Sequence, residues 1–105
     1  MKQDQKLPAD IRDSLANLGE DIRHARLRRE IPMDVLARLA GTTRLTLGKV
    51  ERGAPNVSIG IYAQVLYQLG LLDALGHVAD PAYDIEGRKL AIKPLPMRGR
   101  GAKTR

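Results

Sequence analysis

Residues 36–53, LARLAGTTRLTLGKVERG, join an alanine-rich helical run to a glycine, two threonines and a second helical run ending in Glu51-Arg52-Gly53. Two short helices linked by so tight a turn can cross closely only where the residues at the crossing are small. Ala37 and Gly41 stand at the spacing for it, and Leu47 and Val50 close the crossing from the other side. Gly41 can take positive φ at the first helix's end, and Thr42 or Thr43 can cap the second.

Outward from that stretch the chain keeps a helical period. Pro8 and Asp10 open a helix carrying Ile11, Leu15 and Leu18 at spacings of three and four, continued by Ile22, Ala25 and Arg26. Residues 9–29 read as one bent helix or as two, with Gly19 as the weak joint and the main helix near 18–29. Pro32 breaks the chain, and the next helix restarts at Met33 with Val35, Leu36, Leu39 and Ala40 as its buried stripe. Beyond the turn at Ala54-Pro55-Asn56, Ser58 caps a helix carrying Ile59, Tyr62, Ala63, Leu66 and Leu69. Gly70 ends it, and Leu71, Leu72, Leu75 and Val78 form one more short helix before Asp80-Pro81. The expectation is an all-α domain of five helices at 11–80, an N-terminal arm at 1–10 and a basic extended tail at 81–105. In the tail, Lys89-Leu90-Ala91-Ile92-Lys93 alternates as one edge strand able to pair with its twin across a dimer.

Composition agrees with a small helical domain. Among 105 residues there is no Phe, Trp or Cys, and the aromatics are Tyr62, Tyr67 and Tyr83. The core must come from Leu, Ile, Val and Ala, which suits helix packing. Without cysteine there are no disulfides and no thiolate metal sites, which fits a reducing compartment. No apolar run reaches the roughly 18 residues of a membrane helix, and MKQDQK lacks the apolar stretch of a signal peptide, so a cytoplasmic, bacterial and membrane-free setting is expected.

The net charge is +6, and residues 81–105 hold 7 basic and 2 acidic side chains, so nearly all the excess lies in the tail. Such a balance favours a polyanionic partner, although basic tails can also serve solubility alone. His24 and His77 lie far apart, Ser14 and Ser58 have no visible His-Asp partners, and no phosphate-binding glycine loop occurs; the tail's RGRG is only a weak polyanion cue. The chain reads as a non-enzyme without cofactor or metal.

The crossing at 36–53 is also the pattern of a helix-turn-helix, whose second helix projects its N-terminal side chains into the major groove of DNA. Helices of this length equally suit αα-hairpins that bind nothing, so spacing alone leaves both readings open. IPMDVLARLAGTTRLTLGKVERG, residues 31–53, with LGEDIRHAR, residues 18–26, resembles the lambda-repressor-like XRE family of bacterial and phage regulators over roughly residues 18–75. The resemblance implies a recognition helix near 43–51 with Arg44, Leu45, Thr46 and Lys49 toward base edges. Arg44 or Lys49 can donate to guanine, Thr46 can bond a base or phosphate, and Leu45 can touch a thymine methyl.

Thr43, at the helix N-terminus, is implied as a phosphate contact, as are Arg38, Arg52, Asn56 and Ser58 by family position. Arg26 and Glu51 align with a structural ion pair of the family. Met33 and Pro32 depart from it: members commonly carry a glutamine and a hydroxyl residue there, so one usual phosphate contact and one usual helix cap are missing. Gly48 weakens its helix by roughly 1 kcal/mol relative to alanine, a cost easier to understand where the backbone must approach something closely.

LGHVADPAYDIEGRKLAIKPLPMRGR, residues 75–100, looks like the C-terminal part of HipB-type antitoxins. That second resemblance implies an autoregulating repressor, dimeric on operator half-sites, whose protein partner is a HipA-like kinase toxin with or without a small extra subunit. A free-standing repressor is the alternative. An RNA-binding or nucleoid-associated protein and a pure interaction module are two further classes. For the dimer surface the sequence offers Leu71, Leu72, Leu75 and Val78 or the 89–93 stretch.

Overall fold

The computed structural model describes residues 6–90, and all its regular structure is helical: α1 Ala9–Arg28, α2 Met33–Leu39, α3 Arg44–Glu51, α4 Ile59–Gln68, α5 Leu72–Leu75, a 3-10 turn Pro81–Tyr83 and α6 Ile85–Leu90. These fall into two compact units, one reaching Leu75 and one beginning at Gly76.

In the first unit α3 packs against both α1 and α2, and α2 also meets α4. Their shared core is Ile22 and Ala25 from α1, Leu36, Ala37 and Ala40 from α2 and its end, Leu47 and Val50 from α3, and Tyr62, Val65, Leu66 and Leu69 from α4 and its end. Aliphatic side chains therefore fill it, with Tyr62 the one aromatic among these core residues. Tyr62 lays its ring in the core and donates its hydroxyl to the Ala54 carbonyl at 2.7 Å, fastening the turn between α3 and α4. Burial raises its pKa above the usual 10.0, since the charged phenolate would be desolvated there.

Four helix ends share one construction. After α1, α2, α3 and α4 the chain steps into positive φ at Glu30, Gly41, Gly53 and Gly70. At each, that residue's N–H and the next one turn back onto carbonyls near the helix end, as Gly53 does to Val50 at 2.9 Å and Ala54 to Lys49 at 2.9 Å. This satisfies carbonyls that a helix end would otherwise leave unpaired. Glycine enters that conformation freely, whereas Glu30 does so at φ 55 with a Cβ in the way.

At helix starts the expected caps are present where a hydroxyl stands. Thr43 Oγ1 accepts from the Thr46 N–H at 3.1 Å and Ser58 Oγ accepts from Ile61 at 3.2 Å. Pro32 precedes α2 with φ −63 and ψ 151 and has no side-chain cap to offer.

Several expectations are corrected. The N-terminal helix is one continuous 20-residue α1 with no joint at Gly19, and it takes in Ala9 and Asp10 of the expected arm. Leu39 and Ile59 are exposed, because Leu36, Ala37 and Ala40 turn the buried side of α2 away from Leu39, while α4 buries Tyr62, Val65 and Leu66. Leu75 of the proposed dimer surface packs against the core instead.

The second unit departs most from expectation. Asp80 accepts from the Ala82 N–H at 2.8 Å to start the 3-10 turn, and Asp84 accepts from Gly87 at 2.9 Å to start α6. Glu86 near the start of α6 and Arg88 and Lys89 near its end suit the helix dipole. Lys89 and Leu90 are thus helical where an edge strand was expected, and Pro81–Leu90 is not an extended tail. The remainder of that stretch, 91–93, and of the tail, 94–105, lies outside the described residues, as do residues 1–5 of the arm.

Candidate nucleic-acid interface

The position of α3 follows from two kinds of contact on its inner side. The first is steric. A Cβ built on Gly19 would stand 2.6 Å from the Gly53 N and the Val50 O and 2.7 Å from the Glu51 O; one on Gly53 would overlap the Leu15 carbonyl. Glycine is needed at both places because the Leu15–Gly19 turn of α1 lies backbone to backbone on the end of α3. Gly53 has the further requirement of its φ of 74.

The second contact is ionic. Arg26 Nε donates to Glu51 Oε2 at 2.6 Å and Nη2 to Oε1 at 3.1 Å, a two-pronged pair at 7% and 9% exposure. Its Nη1 donates to the Ile31 carbonyl at 3.0 Å. One guanidinium therefore ties α1 both to α3 and to the segment leading into α2. Such a pair is costly to desolvate, so it fixes position more than it adds net stability, but neither charge can be removed alone without harm.

Held in this way, α3 turns the other side outward. Arg44, Gly48 and Arg52 recur every four residues along it, with Leu45 beside them. Together with Met33 from the start of α2 they line an open depression of about 380 Å³. Gly48 forms part of its floor: a Cβ there would meet Arg52 Nη1 at 3.5 Å and Met33 Cε at 3.9 Å, which is ordinary contact. Leu45 is 71% exposed.

The residues singled out by sequence fall into three groups. Arg44, Leu45 and Arg52 share the depression. Thr46 and Lys49 are half-buried on the same helix and do not line it, and Thr46 Oγ1 accepts from the Thr43 hydroxyl at 3.2 Å. Thr43 and Ser58 spend a lone pair as helix caps, while Arg38 and Asn56 are exposed to either side of α3 in sequence. Sequence reasoning passed over Met33 as a lining residue, since its nearness to α3 depends on how α2 is set against that helix. It also misread Gly19 as a joint.

The charges around α3 are mostly of one sign. Between residues 35 and 72 the basic residues are Arg38, Arg44, Lys49 and Arg52, and the sole acid is Glu51. Since Glu51 is buried on Arg26, the outer face of α3 keeps its positive charges uncompensated from within this segment. Along α1 the charges are balanced, with Asp10, Asp13, Glu20 and Asp21 against Arg12, Arg23, Arg26 and Arg28. His24 sits 3.4 Å from Glu20, one turn away. Among the described residues no group of three His, Cys, Asp or Glu side chains is placed to hold a metal, and no helix is long and apolar enough to cross a membrane.

No family model matches this chain, and no curated protein and no solved structure matches it either.

Proposed function

We propose that this protein is a sequence-specific, double-stranded DNA-binding repressor of lambda-repressor-like helix-turn-helix type. The observation that carries the reading is the two-sided construction of α3. Its inner side is fixed to α1 by glycine contacts and the Arg26–Glu51 pair, and its outer side presents Arg44, Leu45 and Arg52 together. A short helix held rigidly with a cationic outer face is what major-groove reading requires.

Arg44, near the helix start, enters the groove to donate to a guanine. Arg52 lies eight residues on, roughly 12 Å along the axis at 1.5 Å per residue, about the width of the groove. Arg52 serves the phosphates with Arg38, while Lys49 joins Arg44 toward the base edges. Thr46 and Thr43 serve the same helix end, with Asn56 and Ser58 as backbone contacts from the following turn.

One such helix reads only a few base pairs, so the protein acts as a homodimer on two half-sites about one DNA turn apart. Residues 53–72 contain no charged side chain, and Ile59, Tyr67, Leu71 and Leu72 are exposed within them, which supports self-association through this region.

The narrower reading is the antitoxin of a HipA-like kinase operon, with that kinase, alone or with a small extra subunit, as partner. A capped α6 in place of an extended segment favours the alternative of a free-standing repressor, because the antitoxin likeness rests on residues 75–100.

Binding to duplex DNA from upstream of its own gene, measured over a range of salt, tests the main reading. Affinity is expected to fall linearly on a log–log plot as phosphate contacts release counterions. Arg44→Ala should lose about 1–3 kcal/mol of discrimination at one base pair, whereas Arg52→Ala should weaken all sequences alike and lower the salt slope by about 1. Salt-independent or absent binding would leave an interaction module. Copurification with a HipA-like kinase encoded beside the gene decides between the antitoxin and the free-standing repressor.

A further inference from the structure

We propose that the depression on α3 is a pocket for the C5 methyl group of a pyrimidine that adjoins a guanine, so that the protein reads a 5-methylpyrimidine–guanine step. The proposal rests on the DNA-binding reading above and names what that surface recognises.

Its lining divides by chemistry. Met33, Leu45 and Gly48 offer only apolar atoms or backbone to an incoming group, while Arg44 and Arg52 stand at the two ends with guanidinium donors. No carboxylate lines it, so the hollow offers no acceptor to a base amino group and can recognise a pyrimidine only by contact with its methyl. Arginine reads guanine through O6 and N7, and thymine is distinguished by its methyl. A surface with arginine beside an apolar hollow therefore matches a guanine beside a methyl, and matches a free carboxylate or phosphate ligand poorly because three of its five lining residues bring no charged side chain.

Gly48 is the residue this explains. A mid-helix glycine normally costs stability, and here the structure does not require one: added Cβ atoms meet nothing closer than 3.5 Å, and the backbone is ordinary helix. Its absence of side chain serves the outside of the molecule, by leaving the floor of the hollow bare where Arg52 Nη1 and Met33 Cε draw near. Met33 then fits as well. Its flexible apolar end stands beside Gly48, with Cε 3.9 Å from where a Cβ there would be.

Thymine and 5-methylcytosine present the same methyl, so both sources satisfy the pocket and are separated by experiment. The full chain is used to select binding sites from a random duplex pool, and affinities of the selected sites are measured after single-base changes. Enrichment of a TpG step is expected. Replacing its thymine by uracil should weaken binding about fourfold, the equivalent of one buried methyl at ~0.8 kcal/mol. CpG should bind as poorly as the uracil site, and methylation of that cytosine should restore affinity if both sources are accepted; failure to restore confines the pocket to thymine.

Gly48→Leu keeps a good helix former in place and fills the hollow. It should fold, retain the salt dependence of binding, and bring the thymine-to-uracil ratio close to one; Leu45→Ala should reduce the ratio less. Selected sites in which every thymine tolerates uracil, or a Gly48→Leu protein that keeps the full ratio, would overturn the pocket while leaving DNA binding intact. Failure of any duplex to show salt-dependent binding would instead overturn the DNA-binding reading and the pocket with it.

Discussion

Gly48 and Gly53 stand little more than a turn apart, one within α3 and one just past its end, and their surroundings are opposite. Gly53 is buried, bent into positive φ and pressed on the Leu15 carbonyl; Gly48 is an ordinary helical residue where a Cβ would make only ordinary contact with the ends of Arg52 and Met33. The same contrast separates the whole inner side of the helix from its outer side. Inside, Leu47, Val50 and Glu51 are committed to neighbours on α1 and α2, and nothing can be added. Outside, Arg44, Leu45 and Arg52 are free to be changed without disturbing the fold. A helix divided in this way has its placement and its chemistry assigned to different residues, so the two can be altered separately.

The sharpest way to break the inner side is Glu51→Ala, which leaves Arg26 buried without its partner. A loss of about 3–5 kcal/mol in stability is expected, together with weaker DNA binding, and urea unfolding of the variant measures the first. An unchanged melting temperature would show that the pair does not hold α3. Gly53→Ala should cost about 2–4 kcal/mol, combining the penalty for a left-handed residue with overpacking on α1. Gly48→Ala should have the opposite sign, gaining up to about 1 kcal/mol from helix propensity. If both glycine variants destabilise equally, the distinction between the two sides fails.

Two smaller tests lie beyond α3. Glu30→Gly relieves the one left-handed residue with a side chain among the four helix ends and should raise stability by about 1 kcal/mol, read as a shift in the denaturation midpoint with unchanged slope. Tyr62 bears on pH. Its folded pKa is raised, so its contribution is fully present below the unfolded value of 10.0 and is lost as pH rises through the higher folded value. Tyr62→Phe should cost about 1 kcal/mol for the lost bond to Ala54 at neutral pH and remove that part of the alkaline sensitivity; titration of unfolding free energy between neutral and alkaline pH checks it.

What was legible in the sequence was local. Thr43, one of two candidate caps, Ser58 as a cap, Gly41 and Gly70 as stops, and the apolar period of α4 from Tyr62 to Leu69 depend on neighbours within a turn or two and stand where expected, whereas Ile59 is exposed. Gly19 was misread because its reason lies on Gly53, Val50 and Glu51, far along the chain, and no local pattern distinguishes a glycine at a close crossing from one at a joint. Leu39 was misassigned because period alone does not choose between the two candidate faces of a seven-residue helix. The second unit was misread for a different reason: proline and excess charge in residues 81–105 outweighed the local cap at Asp84. At the candidate site, the arginines and Leu45 were visible as residue types, but the hollow they share with Met33 depends on how α2 is set against α3.

Arg26 has a consequence for how the molecule opens. Its side chain reaches both Glu51 and the carbonyl of Ile31, and its own carbonyl receives the Ile31 N–H at 3.2 Å. Loosening α2 at its entrance therefore disturbs the same guanidinium that holds α3, and neither helix has a route to detach alone. Amide hydrogens of the two should exchange with solvent at a common rate, as one cooperative segment rather than two, with the loop beyond Gly70 exchanging earlier.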